Sequence, residues 1–301
     1  MESKQILITG GTGFIGTHLS EMLMKQGHFL TIVTRSPEAH KSEEAKNQKF
    51  ISWDDLSSVM ESIDVVINMA GENLFGQRWT PEVKERLYNS RIKTTRKLVD
   101  AMRASVSKPE VLISTSGVNY YKDSGDEVIT EEDGEPGDNF LANLCKDWEK
   151  EAELASSLGV RVVIARFGIV LEKNGGVIEK MRLPFKLFAG GPVGSGDQYM
   201  PWIHMEDLCR ILIYAMENDE MNGALNACAP EPVTMNEFAD ELGEVMNRPS
   251  FFRVPEFVLD VVLGEAALPV TSSLRVQPKV LQKSGFQFEY DDIGLALADI
   301  M

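Results

Sequence analysis

Residues 6–16 read Ile-Leu-Ile-Thr-Gly-Gly-Thr-Gly-Phe-Ile-Gly, and no other stretch limits the possible fold as much. A short apolar run breaks into glycines at 10, 13 and 16, and apolar residues then recur at Phe14, Ile15, Leu19, Met22 and Leu23 with helical spacing. The pattern is a strand, a tight turn and a helix. Gly10 permits the turn, Gly13 lets a phosphate approach the backbone, and Gly16 lets the helix pack closely on the strand. Gly11, Thr12, Phe14 and Ile15 complete the segment, whose free amides at the helix N-terminus favour an anion. A glycine turn in this context opens a doubly wound parallel sheet, an α/β (Rossmann) fold, and reads as a nucleotide-binding element.

The rest of the chain extends that pattern. The first helix should end near Gln26-Gly27, and residues 29–37 read as a second strand running into a loop. About 20 residues beyond the glycine turn, a site that prefers NAD carries Asp or Glu for the ribose 2′-hydroxyl. This chain has Thr34, Arg35 and Ser36, a guanidinium with two hydroxyls that suits a 2′-phosphate, so the expected cofactor is NADP(H). Residues 38–48 read as a polar loop and 49–53 as a third strand, at whose end Trp53 and Asp54 either flank the adenine or serve as a core Trp and an N-capping Asp.

Residues 64–69 form a continuous apolar run, as in a central parallel strand buried on both faces, and break at Ala70-Gly71-Glu72. The small residues sit where backbone must pass close to a cofactor, and Glu72 is expected to face the crevice. Arg78 either reaches the cofactor phosphates or is a surface arginine. Another buried strand, 110–114, ends in Ser114-Thr115-Ser116-Gly117, with Tyr120 and Tyr121 beyond. Hydroxyls at the carboxyl end of a central strand stand where open α/β sheets bind substrate. An acidic loop, 123–138, precedes a helix over 139–158 that Gly159 closes, and a sixth strand at 160–165 ends in Arg166-Phe167-Gly168. From 171 to 200 a glycine-rich stretch with one basic helix at 179–189 reads as a lid over the sheet, hinged at the glycine pairs 175-176 and 190-191 and more mobile than the sheet. Strand and helix return at 201–208, and 224–227 is a short strand. The expected division is 1–230, the nucleotide-binding domain, and 231–301, a smaller, mainly helical C-terminal lobe with helices near 234–246, 256–264 and 273–284.

Composition removes several function classes. A formal net charge of −16 repels nucleic acid and anionic lipid, so an anionic ligand must be held by a local site and individual arginines become informative. No apolar run approaches the roughly 20 residues of a membrane span, and a first strand this early is no cleaved signal peptide, so a cytoplasmic protein is expected. The 3 cysteines, Cys145, Cys209 and Cys228, have unrelated spacings and read as buried free thiols rather than a disulfide framework or metal site.

The order of these motifs, with Arg166-Phe167-Gly168-Ile169-Val170-Leu171 and Trp202-Ile203-His204-x-x-Asp207-Leu208 completing it, resembles the extended short-chain dehydrogenase/reductases, relatives of the nucleoside-diphosphate-sugar epimerases. Ala70-Gly71-Glu72 followed by Arg78-Trp79, Ser90-Arg91, Tyr120-Tyr121, Phe140-Leu141 with Cys145 and Trp148-Glu149, and Pro201-Trp202-Ile203-His204 are similar to one atypical, epimerase-like branch, whose C-terminal domain of unknown function the last lobe resembles. The resemblance implies a nicotinamide cofactor at the residues named above, with Phe167 beside it. It also implies Tyr-x-x-x-Lys, in which the phenol moves a proton and the lysine lowers its pKa and holds the nicotinamide ribose. This chain departs there. None of its 6 tyrosines has a lysine four residues on, and aligning by Glu149 puts Leu141 and Cys145 at the two positions.

Three readings follow. A reductase of a carbonyl or nucleotide-sugar-like small molecule could draw its proton from Tyr121, Ser116 or an ordered water, since hydride transfer belongs to the cofactor. A non-catalytic NADP(H) sensor needs no acid at all. An epimerase proper needs the missing base. Cys145 as a nucleophile has only Lys146 nearby to depress its pKa. Oligomeric state stays open, with a homodimer among the expectations.

Overall fold

The computed structural model describes residues 2–75 and 77–301, and for Asp260 the backbone alone. The apolar run before the glycine turn is strand β1, Gln5–Thr9, followed by α1, Phe14–Lys25, β2, Phe29–Val33, β3, Gln48–Ile51, α2, Leu56–Val59, and β4, Val65–Asn68. Then come α3, Pro81–Ala104, β5, Val111–Gly117, the short β6, Val128–Ile129, α4, Phe140–Glu153, and β7, Arg161–Phe167. Next are β8, Ile169–Leu171, α5, Gly176–Lys186, β9, Tyr199–Met200, β10, Trp202–His204, α6, Met205–Glu217, and β11, Gly223–Ala227. The C-terminal part holds β12, Val233–Thr234, α7, Met235–Met246, α8, Glu256–Leu263, α9, Leu268–Thr271, β13, Arg275–Val276, α10, Lys279–Ser284, and α11, Ile293–Ile300.

Seven strands make one sheet in the order β11-β7-β5-β4-β1-β2-β3, every neighbouring pair parallel. Strand side chains alternate between faces. Ile6, Ile8, Ile67, Ile113 and Val163 pack under Leu19 and Leu23 of α1 and Leu208 and Leu212 of α6. Leu7, Val66, Leu112 and Val162 pack under Leu56 of α2, Leu98 and Met102 of α3, and Ala152 of α4. The chain winds to β2 and β3 on one side of β1 and then crosses to β4 on the other, so strand order reverses between β1 and β4. The carboxyl ends at that switch point are where an open α/β sheet binds its ligand.

A second core lies beyond the sheet. Leu171, Ile178 and Phe185, from the stretch that reads as a lid, are buried with Trp202, Phe238, Leu242 and Leu297. Helix α5 is therefore anchored on α7 and α11 by its apolar face. The acidic Asp207, fully buried on α6, accepts the backbone amides of Glu289 and Tyr290 at 3.0 and 2.8 Å and ties the chain end to this region.

Several local readings are corrected. Pro37 starts a 3₁₀ turn, Pro37–Glu43, within the stretch read as loop. The helix read over 273–284 begins only at Lys279, because Gln277 precedes Pro278 and is held out of the helical region; Arg275–Val276 instead pairs parallel with β6 in the acidic loop. Helix α11, capped by the Asp292 side chain on the Leu295 amide at 2.9 Å, is short and apolar and escaped the periodicity reading. Among the described residues no helix is long and apolar enough to cross a membrane.

Leu242→Ala tests the shared second core. Its expected cost is about 2–5 kcal/mol, and hydrogen exchange should quicken in α5 and α11 together with α7 while the sheet is unchanged. Quickening confined to α7 would show that 171–200 packs independently.

Candidate functional site at the carboxyl ends of the strands

Gly10 takes φ +70°, and a Cβ there would stand 2.6 Å from the carbonyl oxygen of Met69, just past β4. Only glycine allows both the left-handed turn and this approach. The Gly13 amide donates to the Gly10 carbonyl at 3.0 Å, closing the turn, and a Cβ on Gly16 would run into that same carbonyl. Helix α1 is thus drawn against the end of β1. Its N-cap, Gly13, offers no side-chain acceptor to the first-turn amides, and Thr12, Gly13 and Phe14 are exposed. Gly11 lies against Ile32 of β2, and Ile15 is half-buried at the edge of the main core.

Beneath the turn lies a buried polar hub. Asn68 accepts from the Thr9 hydroxyl at 2.8 Å and donates to Thr95 at 2.9 Å and to Ser114 at 3.1 Å, while Thr9 Oγ1 accepts the Ala70 amide at 3.1 Å. Ser114 is therefore a structural hydroxyl joining β4 to β5, and Thr115 beside it is buried. At the end of β2, Thr34 is buried and accepts the Ser36 amide at 3.4 Å, whereas Arg35 and Ser36 are exposed. Arg35 makes no ion pair among the described residues. Trp53 is half-buried against the α2–α3 core and Asp54 is exposed; both line a groove of about 350 Å³ with Leu56, Ser57, Lys97, Asp100 and Ala101, and no glycine-turn residue borders it.

Glu72 and Arg78 both have neighbours of their own within the protein. The Glu72 carboxylate is engaged: Arg86 donates to its Oε1 at 3.1 Å, which holds the carboxyl below its ordinary pKa, and Gln77 adds a bond at 3.3 Å. The Arg78 guanidinium rests against Gly264 in the C-terminal lobe, where a Cβ would stand 3.1 Å from its Nη2. Ala70 is buried and Gly71 exposed, at the strand end where the sequence placed them.

The hydroxyls proposed as proton donors are both engaged. Ser116 Oγ donates to Glu149 at 2.6 Å, and Glu149 holds Arg166 bidentately at 2.9 and 2.7 Å. Arg166 donates on to the Tyr121 hydroxyl at 2.8 Å, which itself donates to Asn226 at 2.8 Å. The Arg166 guanidinium also stacks 3.6 Å from the Tyr120 ring centroid. Burial alone would lower the Arg166 pKa, but the hydrogen bond and charge of Glu149 outweigh it and hold the guanidinium above its ordinary value. Burial pushes Tyr121 up to about 12 despite Arg166, and the side chain is 2% exposed. A phenol so placed is a poor acid, and its position corrects the expectation that it faces substrate. Phe167, the next residue after Arg166, is half-buried at the end of β7.

Leu141 and Cys145 are buried on α4, and burial pushes the Cys145 thiol up to about 11, so it packs rather than reacts. Sequence reasoning missed Glu149, Arg166 and Asn226 as partners. The available signal was a charge at an apolar position: Glu149 follows Leu141, Cys145 and Trp148 on one buried helix face, and Arg166 ends an apolar strand.

Residues 6–228 match the family model described as NAD dependent epimerase/dehydratase family. The chain belongs to that family. Residues 254–300 match a domain of unknown function, DUF1731. The family member YfhF of Bacillus subtilis, an "epimerase family protein", is 38% identical, covering 98% of this chain and 97% of its own. The mouse epimerase family protein SDR39U1 is also 38% identical, covering 99% of each. The crystal structure of human SDR39U1 (isoform 2) with NADPH superposes with a TM-score of 0.89 at 36% identity, covering 98% of both chains. A UDP-glucuronic acid 4-epimerase from Bacillus cereus shares the fold at 16% identity with a TM-score of 0.78 over 98% of this chain.

Glu149→Gln leaves Arg166 buried without its carboxylate and should cost about 3–5 kcal/mol. Replacing both partners, Glu149→Leu with Arg166→Met, should recover much of that loss. Chemical denaturation of the single and double variants decides it: equal midpoints would mean that Glu149 does not compensate the buried Arg166 charge.

Proposed function

We propose that this chain binds NADPH over the carboxyl ends of β1, β2 and β4 and uses it to reduce a carbonyl on a small, nucleotide-sugar-like substrate. The observation that carries the cofactor choice is the end of β2, where exposed Arg35, without an ion pair among the described residues, stands between Thr34 and Ser36 with no acid beside it in sequence. A 2′-phosphate gives such a guanidinium a charge-assisted, forked partner. The glycine turn fits the rest of the group: a Cβ on Gly13 would meet only the Gly10 carbonyl, at 3.1 Å, and so points out of the protein where a pyrophosphate would approach. The human relative crystallised with NADPH supports the same reading. Bound there, NADPH supplies a hydride.

The protein's own part is positioning. The Asn68 hub fixes the strand ends, and Phe167, at the end of β7, is the residue the family resemblance puts beside the cofactor. Because Ser116 and Tyr121 hydrogen-bond inside the Glu149–Arg166 network, the proton comes from water rather than from either hydroxyl. Epimerisation, which removes and returns a hydride at one carbon, lacks its base. A second reading, in which the chain binds NADPH and reports it to a partner, needs no proton donor and is separated from the first by turnover.

Arg35→Ala should weaken NADPH by about 10- to 150-fold, the worth of a charge-assisted contact, and leave NADH unchanged; equal wild-type affinity for the two cofactors would refute the assignment. Gly13→Val should abolish binding of both without unfolding the protein. With a panel of carbonyl compounds and nucleotide sugars, Tyr121→Phe should lower NADPH oxidation by less than the ~10²- to 10⁴-fold that a positioned acid contributes. A larger loss would restore Tyr121 as the donor, and tight NADPH binding with no turnover on any compound would leave the reporter reading.

A further inference from the structure

Helix α8 is apolar on every side and nowhere deeply buried. Phe257, Val258, Leu259, Val261, Val262 and Leu263 fill six of its 8 positions. Phe257, Val261 and Val262 are 60–71% exposed, while Val258, Leu259 and Leu263 are half-buried, Leu263 beside the cluster of Trp79, Leu87 and Leu141. A helix that is apolar all round belongs in a core. One this short, with three β-branched valines, does not hold itself together in water. Its stability comes from whatever covers it.

The exposed stripe continues beyond α8. Phe251 and Phe252, both exposed, lead into it with their rings 4.6 Å apart. The Phe252 amide donates to the Gly190 carbonyl at 3.0 Å and the Val254 amide to the Pro192 carbonyl at 2.9 Å, so this segment lies along 190–192, just past the end of α5. There Leu183, Leu187 and Phe188 are 56–68% exposed. Phe188 takes φ +61°, the left-handed position that Asn247 fills after α7 and Gly285 after α10. A phenylalanine is strained there, and its ring lies at the surface, 4.5 Å from the Arg248 guanidinium.

The four phenylalanines alone expose about 500 Å² of apolar surface. The leucines and valines bring the patch near the ~800 Å² that each partner of a stable complex contributes, beyond the roughly 300–600 Å² of the largest patch on a typical monomer. Its rim carries both signs, with Lys186 and Arg253 exposed alongside Glu256. A net charge of −16 repels anionic lipid, whereas an apolar centre with a mixed rim is complementary to itself about a twofold axis. We propose that a second copy of this chain covers the patch, pairing α5 and α8 of one subunit with those of its partner. Such pairing needs no bound cofactor.

Sedimentation of the whole chain over a dilution series reads the pairing directly. Val261→Lys and Leu187→Glu each put a charge on the patch at an exposed position, and Val106→Lys, at an exposed valine between α3 and β5, is the control. Wild type and Val106→Lys should form the same dimer, and the two patch variants should weaken it at least about 30-fold, the worth of a hot-spot side chain. Hydrogen exchange on the wild type keeps the test open if a variant misfolds: amides of 257–263 should be slow in the dimer and quicken on dilution, while those of β1 and β4 do not change. A wild type that is monomeric at every concentration, a dimer that both patch variants leave intact, or α8 exchange indifferent to dissociation overturns the proposal. A monomeric wild type that co-sediments with phosphatidylcholine vesicles overturns it in favour of a lipid surface.

Discussion

The contact on which the rest depends is the approach of the glycine turn to the exit of β4. Gly10 and Met69 come so close that no side chain fits between them, and Asn68, one residue earlier, fastens β1, β5 and α3 at the same level. Parallel strands leave their carboxyl-end backbone groups exposed to whatever lies above them, so the ends must be tied by side chains or by a ligand. Asn68 does the first with every polar atom satisfied, and a fully satisfied buried network rigidifies its surroundings. That rigidity presents the helix α1 amides, the Arg35 loop and Gly71 on one edge.

Further along the same edge, the chain invests charge differently. At β5 and β7, Glu149 and Arg166 neutralise each other and consume the hydroxyls of Ser116 and Tyr121. A pair of this kind stabilises little over apolar packing but is costly to break, so it holds geometry rather than supplying free energy. It occupies the neighbourhood where the family resemblance implied a tyrosine and a lysine. On α3, by contrast, Arg91 has no ion pair among the described residues and donates to the Leu87 and Glu72 carbonyls and the Ser90 hydroxyl.

The sheet and its switch point were legible because the strands are continuous apolar runs bounded by glycine or hydroxyl residues, and because the turn at 10–16 has one physical use. The helices flanking it were legible from their 3.6-residue period. Less legible were segments whose structure is set by distant pairing: β13 exists because Val128–Ile129 lies beside it, and nothing local to Arg275 announces that. What residue order made readable is placement, as at Arg35, which is exposed just past the end of β2. The state of Ser116, Tyr121 and Glu72 was not readable, because a hydroxyl or carboxylate at a strand end is available or engaged according to partners that come from 5 to 105 residues away.

The second core gives the crevice a way to influence the far lobe. Phe14, on the glycine turn, packs its ring over Gly175, where any Cβ would collide with it, and Gly175 caps helix α5. Ile178 and Phe185 of that helix are buried against α7 and α11. A shift of the turn that moved Phe14 would push on α5 as a unit, since a packed core transmits displacement rather than absorbing it. The stretch 171–200 thus touches the glycine turn at Gly175 and is anchored in the second core through Leu171, Ile178 and Phe185, so a movement of α5 over the sheet would involve that core.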